Sequence, residues 1–234
     1  TWTQHAIPGM NVVFDLVVYV CKLWFTSDGN GVFSSEDNGG TWQDKNAGLT
    51  HHKVYALTVS GNHLFCGTYH GGVFRYSGET GMWAAVNSTF PYEPQWWYVT
   101  ELQTIGDGVY MYGMGIGVFK TTTLGEDWDP LNNILYDPNA QVGDFVKHGS
   151  YLMIAADYQG AMRSDNDGET WEFCNNGITS TMDAVSMAAT ETAVFVGTSD
   201  SGLFMSKDHG DNWVAVNLGY PIDWQTQRYA NPES

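Results

Sequence analysis

Asp15, Glu101 and Asp144 occupy the same place in three units of a repeated pattern, where two further units carry Ala56 and Ser186. A converging row of carboxylates can do acid–base chemistry. Glycoside hydrolysis needs two carboxyl groups about 5–9 Å apart, one protonated as acid and one ionised as base or nucleophile. A second set of residues suits binding. Phe90-Pro91-Tyr92-Glu93-Pro94-Gln95-Trp96-Trp97-Tyr98 holds five aromatics in nine residues, beside prolines that stiffen the segment. Such density is unusual on a solvent face. Asp28, Tyr69, His70, Asp157, Tyr158 and Asp200 fall in turns that share that face. Aromatic plates stack on the C–H faces of sugar rings, and carboxylates accept from sugar hydroxyls, the mix of apolar walls and placed polar groups that small-ligand sites use.

Both sets depend on elements that bring distant segments together. Trp2, Trp42, Trp83, Trp128, Trp171 and Trp213 fall 40, 41, 45, 43 and 42 residues apart, and a period of this length marks a repeat architecture. Nine residues before each of the last five stands Phe33, Phe74, Phe119, Met162 or Phe204, two residues after Gly31, Gly72, Gly117, Gly160 or Gly202. Aligning backwards gives five gap-free windows, 11–33, 52–74, 97–119, 140–162 and 182–204. Short β-branched and aromatic runs bounded by glycine turns, such as Leu23-Trp24-Phe25 and Val194-Phe195-Val196, read as strands. Each unit then holds strands a, b and c, a polar turn, and strand d beginning at the tryptophan. Four short antiparallel strands per period is the spacing of a propeller blade.

The expected fold is all-β, a five-bladed β-propeller forming a single domain over 1–234. The blades fall at 11–51, 52–96, 97–139, 140–181 and 182–221, with 1–10 as a spare outer strand or ring closure and 222–234 as a tail. Strand a is innermost, so Asp15, Glu101 and Asp144 are expected to face the central channel. Each window starts 9, 10, 14, 12 and 11 residues after the preceding tryptophan, so length variation lies in the d–a connections, on the face shared with the b–c turns. A fixed scaffold with variable loops on one face is where function is usually carried. Tyr92, Trp96, Trp97 and Tyr98, with Tyr69, His70, Asp157 and Tyr158, are the expected ligand-binding residues there. The competing reading has Trp96 and Trp97 plugging the ring mouth or packing between blades.

The polar turns carry a motif. Ser35-Glu36-Asp37-Asn38-Gly39-Gly40-Thr41-Trp42 resembles the Asp-box of the sialidase-type (BNR) repeat. The segment from Ser206 to Trp213 matches with Asn212 for threonine, and that from Ser164 to Trp171 matches with Asn166 for aspartate; Gly78 and Thr123 replace the aspartate in the other two. The resemblance implies a propeller fold and, since Asp-boxes occur in sialidases, xyloglucan hydrolases, sortilin-type receptors and secreted bacterial proteins, no single activity. In physical terms these residues staple their own turn: aspartate and serine bond its backbone, glycine supplies a positive φ, and tryptophan packs between sheets. The carboxylate row is similar in architecture to that of five-bladed arabinanase-type hydrolases, which use inner-strand carboxylates of blades 1, 3 and 4. Those enzymes lack Asp-boxes and place a glutamate where this chain has Asp144. A sialidase would need an arginine triad, and Arg75, Arg163 and Arg228 do not supply one: the first two follow the c-strand anchor, away from the channel.

Composition narrows the classes further. With 26 acidic against 9 basic residues the formal charge is −17, which excludes a basic stripe for nucleic acid and disfavours anionic membranes. Acidity keeps such a protein soluble. The longest apolar run, around Val12–Cys21, is broken by Asp15 and is too short to span a bilayer. The chain does not open on methionine and reads as a processed or excised piece. Cys21, Cys66 and Cys174 occupy non-equivalent places in three blades, against a disulfide framework. His51, His52 and His70 lack helical ligand spacing, so no metal and no cofactor are expected. The favoured function is a secreted or cell-surface binding or scaffold propeller recognising a glycan or protein on its loop face. The alternatives are a glycoside hydrolase using Asp15, Glu101 and Asp144, and a structural subunit of an extracellular assembly that self-associates through a spare edge strand. Thr1-Trp2-Thr3-Gln4 and Asn212-Trp213-Val214-Ala215 both resemble the start of strand d. N-terminal closure of the ring is the expectation, because a ring tied by both ends resists opening.

Overall fold

A computed structural model describes residues 12–90, 98–114, 116–131, 142–156, 158–178, 184–199 and 201–217. Among them are twenty strands in five four-stranded antiparallel sheets. Blade 1 contains β1 (Val13–Tyr19), β2 (Lys22–Ser27), β3 (Gly31–Ser35) and β4 (Gln43–Asp44). Blade 2 contains β5 (Val54–Ser60), β6 (His63–Thr68), β7 (Gly72–Ser77) and β8 (Met82–Ala85). Blade 3 contains β9 (Tyr98–Ile105), β10 (Gly108–Met114), β11 (Gly117–Thr121) and β12 (Asp129–Pro130). Blade 4 contains β13 (Val142–His148), β14 (Tyr151–Ala156), β15 (Gly160–Ser164) and β16 (Glu172–Phe173). Blade 5 contains β17 (Ala184–Ala189), β18 (Val194–Thr198), β19 (Gly202–Ser206) and β20 (Val214–Ala215). The inner strands β1, β5, β9, β13 and β17 pack successively on one another. The molecule is a five-bladed β-propeller.

Alternation along the strands sends one set of side chains forward and one back, so each junction has its own core. Tyr19, Trp24 and Val32 of blade 1 pack on Leu57, Leu64, Phe74 and Trp83 of blade 2. Similar clusters join blades 2 and 3 around Phe65 and Met111, 3 and 4 around Tyr112 and Ile154, and 4 and 5 around Met153 and Phe204. Burying one such side chain contributes about 1.5–3 kcal/mol.

The tryptophan ladder works through hydrogen bonds as well as area. Trp83 Nε1 donates to the Lys45 carbonyl of blade 1 at 2.7 Å, and Trp128 Nε1 to the Val86 carbonyl of blade 2 at 2.8 Å. An unanticipated repeat lies four residues beyond Trp42, Trp83, Trp171 and Trp213. Asn46, Asn87, Asn175 and Asn217 accept from the backbone of strand c (Val32, Val73, Ala161, Leu203) at 2.7–2.8 Å. Each also donates to a carbonyl of its own b–c turn at 2.8–3.0 Å. This explains the glycine opening strand c: a Cβ on Gly72 would stand 2.6 Å from Asn87 Oδ1, and its φ is +76°. The Asn87-Ser88-Thr89 sequon is therefore spent on the fold, because the Asn87 side chain is bonded at both ends.

The polar turns are self-contained. Asp37 accepts from the Ser35 hydroxyl at 2.7 Å and from the backbone and hydroxyl of Thr41 at 2.8 Å each. Asp208 does the same with Ser206 and Asn212, and both carboxyls are held down at about 2 by these bonds. In blade 4 Asn166 accepts from Ser164 and Thr170 N–H and donates to the Thr170 hydroxyl, so the amide reproduces the turn without charge.

The seam differs from expectation. Val214–Ala215 is the fourth strand of blade 5, paired to β19 through Phe204↔Ala215 and Met205↔Val214. Closure by the N-terminal segment is thereby overturned. Asn217 ties the C-terminal strand to Leu203 N–H and the Ser201 carbonyl, whereas the residue four beyond Trp2 is Ala6, which has no amide to make those bonds. Residues 1–11 and 218–234 lie outside the described residues.

Candidate functional site

The innermost strand of a blade is a sheet edge, and its inward N–H groups need partners. The register of every blade slips at one place. Tyr55 is the extra residue between the pairs Val54↔Thr68 and Ala56↔Gly67. Thr100, Gly143 and Val185 are extra in blades 3, 4 and 5, and residues 14 and 15 share one slot in blade 1. A bulge turns the local strand and re-aims the next side chain. That next position is the row Asp15, Ala56, Glu101, Asp144 and Ser186. The bulge residue Gly143 also lets adjacent inner strands approach, since a Cβ there would fall 2.1 Å from the Val185 carbonyl oxygen.

The three carboxylates line one cavity of about 530 Å³, with Phe14, Tyr55, Thr58, Thr100 and Gln103 on its walls. Two of them also join blades. Asp15 Oδ2 accepts from Leu57 N–H of blade 2 at 2.7 Å, while its Oδ1 accepts from Leu16 N–H at 2.7 Å. Asp144 Oδ2 accepts from Met187 N–H of blade 5 at 3.0 Å. In both cases the inward N–H of the next blade's edge strand is satisfied by the preceding blade's carboxylate. Glu101 is bonded instead by its own neighbour Leu102 N–H.

Burial pushes the Glu101 carboxyl up to about 8, helped by the negative charges of Asp144 and Asp15 and opposed by the Leu102 N–H. It is therefore protonated at neutral pH and can donate a hydrogen bond. Burial also raises Asp144, against the pull of the Met187 N–H. The channel thus presents a protonated Glu101 beside two aspartates bonded to backbone N–H groups.

Aromatic rings lead outward from this cavity. Phe14 lies 4.7 Å from Tyr55 between ring centroids, and Tyr55 lies 6.2 Å from Tyr69. Tyr69 packs on His70 at 4.0 Å and on Tyr98 at 4.3 Å, and His70 meets Tyr98 at 4.8 Å. A backbone bridge joins Tyr69 to Tyr98, so the b–c turn of blade 2 and the first residue of β9 form one ledge. Lys53, paired with Asp28 at 3.2 Å, sits over the Tyr55 and Tyr69 rings at 5.6 and 5.1 Å. His70 and Tyr158 hold φ values of +68° and +60° where the equivalent residue of blade 1 is Gly29. Non-glycine residues at positive φ cost stability and cluster at sites.

Of the residues expected to bind, Tyr69, His70 and Tyr98 come together, while Tyr158 stands 65% exposed on the corresponding turn of blade 4. Tyr92, Trp96, Trp97 and Asp157 lie outside the described residues. Phe14, Tyr55 and Lys53 were not anticipated; the signal was the aromatic pair Phe14 and Tyr55 one place before the carboxylate row. Arg75 and Arg163 brace junctions, bonding the Leu124 and His209 carbonyls of the following blades at 2.7 and 2.9 Å. Among the described residues no cluster of three or more His, Cys, Asp or Glu is placed to hold a metal ion, and no helix is long and apolar enough to cross a membrane.

No family profile and no curated protein matches the chain. Solved structures share the fold. An ancestral GH74 enzyme superposes with TM-score 0.72 at 18% identity, covering 92% of this chain and 32% of that one. A GH74 xyloglucanase from Xanthomonas campestris gives 0.63 at 12% identity, covering 82% and 36%. The extracellular domain of a one-component system from B. thetaiotaomicron gives 0.67 at 17% identity, covering 86% and 28%. The chain spans about a third of the length of these proteins, and what it is similar to in each is the β-propeller.

Proposed function

We propose that this chain is an extracellular binding propeller with Asp-box turns, and that its ligand is a glycan held at the channel mouth. The observation carrying this reading is the continuous ledge of Phe14, Tyr55, Tyr69, His70 and Tyr98 above the cavity floored by Asp15, Glu101 and Asp144. Rings of a pyranose stack on the ledge, and their hydroxyls meet both acceptors and the protonated Glu101 donor. Two structural neighbours are GH74 proteins, one a xyloglucanase, and a third is an extracellular domain, which supports a carbohydrate and an extracellular setting. The test is calorimetric titration of the chain with a panel of β-linked oligosaccharides, xyloglucan fragments included. Binding should appear and weaken at least about tenfold, some 1.4 kcal/mol, in Tyr69→Ala and Tyr98→Ala. Absence of binding across the panel, or equal binding by the variants, overturns the reading.

Hydrolysis is the second reading, favoured by the coexistence of a protonated Glu101 with Asp15 and Asp144 in one cavity. It is the weaker one because both Asp15 oxygens are already bonded to backbone, which lowers their nucleophilicity. Release of reducing sugar that disappears in Glu101→Gln would promote it over simple binding.

A further inference from the structure

The junction between blades 2 and 3 and that between blades 4 and 5 are built alike except at one contact. Arg75 of β7 and Arg163 of β15 hold equivalent places. Each donates through Nη1 to a carbonyl in the polar turn of the following blade, Leu124 at 2.7 Å and His209 at 2.9 Å. Leu124 and His209 stand four residues before Trp128 and Trp213, both at φ +58°. The end of the inner strand differs too, with Ser60 in blade 2 where blade 4 has His148. Leu124 packs against the apolar cluster of its junction. His209 instead bonds His148, Nδ1 to Nδ1 at 2.9 Å, with ring centroids 4.6 Å apart.

That bond admits one proton. One Nδ1 must carry hydrogen, and the other must keep its lone pair. The donating ring can take a further proton on Nε2 and keep the bond. A proton on the accepting Nδ1 sets two N–H groups face to face and ends it. His148 is only 4% exposed, and burial followed by the charge of His209 holds its imidazole below the ordinary 6.5. The surrounding charged groups are already engaged. Tyr151 of β14 lies 5.4 Å from His209 between ring centroids. Arg163 sits over the Tyr151 ring at 4.8 Å and pairs with Glu172 and Asp211 at 2.7 Å each. Asp208, beside His209, is bonded to Ser206 and Asn212. Lys147 and Lys207, the basic neighbours along the chain, are exposed. The rings also have little room, since a Cβ on Gly149 would stand 2.9 Å from His209 Cε1.

We propose that the His148–His209 pair is an acid-sensitive latch between blades 4 and 5, closed while one bare Nδ1 accepts and opened when both rings are cationic. The unfolded chain takes both protons near pH 6.5, whereas the folded pair resists the second. The latch therefore contributes fully above pH 6.5 and is lost progressively below it. Its opening bears on the channel. His148 is the last residue of β13, and Asp144, four residues earlier on that strand, holds the Met187 N–H of blade 5 at 3.0 Å. One strand thus ties blade 5 at two points, and acid releases the outer one.

The test is amide hydrogen exchange, read by mass spectrometry on the 234-residue chain at about pH 7.5 and about pH 5 and corrected for the intrinsic rate at each. Protection in β18 and β19 should fall about two- to tenfold at the lower pH, the factor that one hydrogen bond sets. β6 and β7 of blade 2 should keep theirs. His148→Ser/His209→Leu copies the pair found at the other junction, Ser60 and Leu124, and should abolish the difference between the two pH values. His209→Gln, which keeps a hydrogen-bonding side chain that does not titrate, takes its place if the double variant fails to fold. A loss of protection in the variant equal to that of wild type overturns the proposal. So does an equal loss in blades 2 and 5 of the wild type, which would mean general acid softening rather than a latch.

Discussion

The Asp15 carboxylate of blade 1 accepts the Leu57 N–H of blade 2 at 2.7 Å, as Asp144 of blade 4 accepts the Met187 N–H of blade 5 at 3.0 Å. The same window position therefore does two jobs at once. It satisfies the inward edge of the next sheet, and it sets the polarity of the channel. Asp15→Ala is expected to lower unfolding free energy by about 1–3 kcal/mol, the cost of stripping partners from backbone donors. Glu101→Ala, which removes no bond between blades among the described residues, should cost less. Urea titrations of the two variants check this; an Asp15→Ala as stable as wild type would show that the bond does not hold the junction.

Glu101 makes stability depend on pH in an unusual direction. Its carboxyl titrates near 8 in the fold against a reference value of 4.5. Between these values the folded chain keeps a proton that the unfolded chain has lost, so this group's contribution falls as pH rises from about 4.5 to 8. Glu101→Gln, neutral throughout, should match wild type near pH 4 and exceed it at pH 8. A carboxyl moved from 4.5 to about 8 amounts to roughly 4–5 kcal/mol, so the expected gain in Tm at pH 8 is on the order of ten degrees, each 1 kcal/mol being worth about 2–4 °C in a domain this size. Parallel Tm-against-pH curves for the two proteins would sink the assignment.

Much of this arrangement was legible in the residues. The tryptophan spacing yielded five sheets, and the fifth window position yielded a cavity lined by Asp15, Glu101 and Asp144. Periodicity reports which residues are equivalent, and equivalence is what a stack of like blades preserves. It does not report a bulge, because one extra residue in strand a leaves the window length unchanged. That is why Phe14 and Tyr55 at the channel mouth escaped notice. The role of Asn46, Asn87, Asn175 and Asn217 escaped for another reason: asparagine after a strand reads as turn composition until its two bonds are seen. The seam was misjudged because Trp2 and Trp213 carry the same local signal, and only the asparagine after Trp213 separates them.

The polar turns should fail in acid in a defined window. Asp37 and Asp208 are held at about 2 against the reference value of 3.8, by the Thr41 backbone N–H first for Asp37 and the Asn212 side chain first for Asp208. A depressed carboxyl stabilises the fold above its unfolded value and loses that contribution as pH falls through its folded value. The loss therefore runs from about pH 4 down to about pH 2. Asn166 fills the same place in blade 4 without charge, which makes Asp37→Asn/Asp208→Asn the informative variant. It should retain the fold at pH 7 and show a shallower decline in Tm between pH 4 and pH 2. An unaltered acid slope would remove these two turns from the account of acid sensitivity.

His70 and Tyr158 give the sharpest separation of fold from function. Both occupy the left-handed region, with φ of +68° and +60°, at a turn position that blade 1 fills with Gly29 at φ +84°. A Cβ in that region costs about 1–2 kcal/mol, and replacement by glycine relieves that strain while losing about 0.4–1 kcal/mol to the greater entropy of the unfolded chain. His70→Gly and Tyr158→Gly are therefore expected to leave stability unchanged or raise it by up to about 1 kcal/mol. His70 belongs to the ledge, within 4.0 Å of Tyr69 and 4.8 Å of Tyr98 between ring centroids, so its removal should weaken oligosaccharide binding while the fold gains. Gly29→Ala, the reverse change, should destabilise and leave binding alone. Thermal melts and calorimetric titrations on the three variants measure both quantities in the same samples. Were His70→Gly to melt lower than wild type, its strain would be repaid by packing, and the case for histidine at that turn would rest on structure rather than on a ligand.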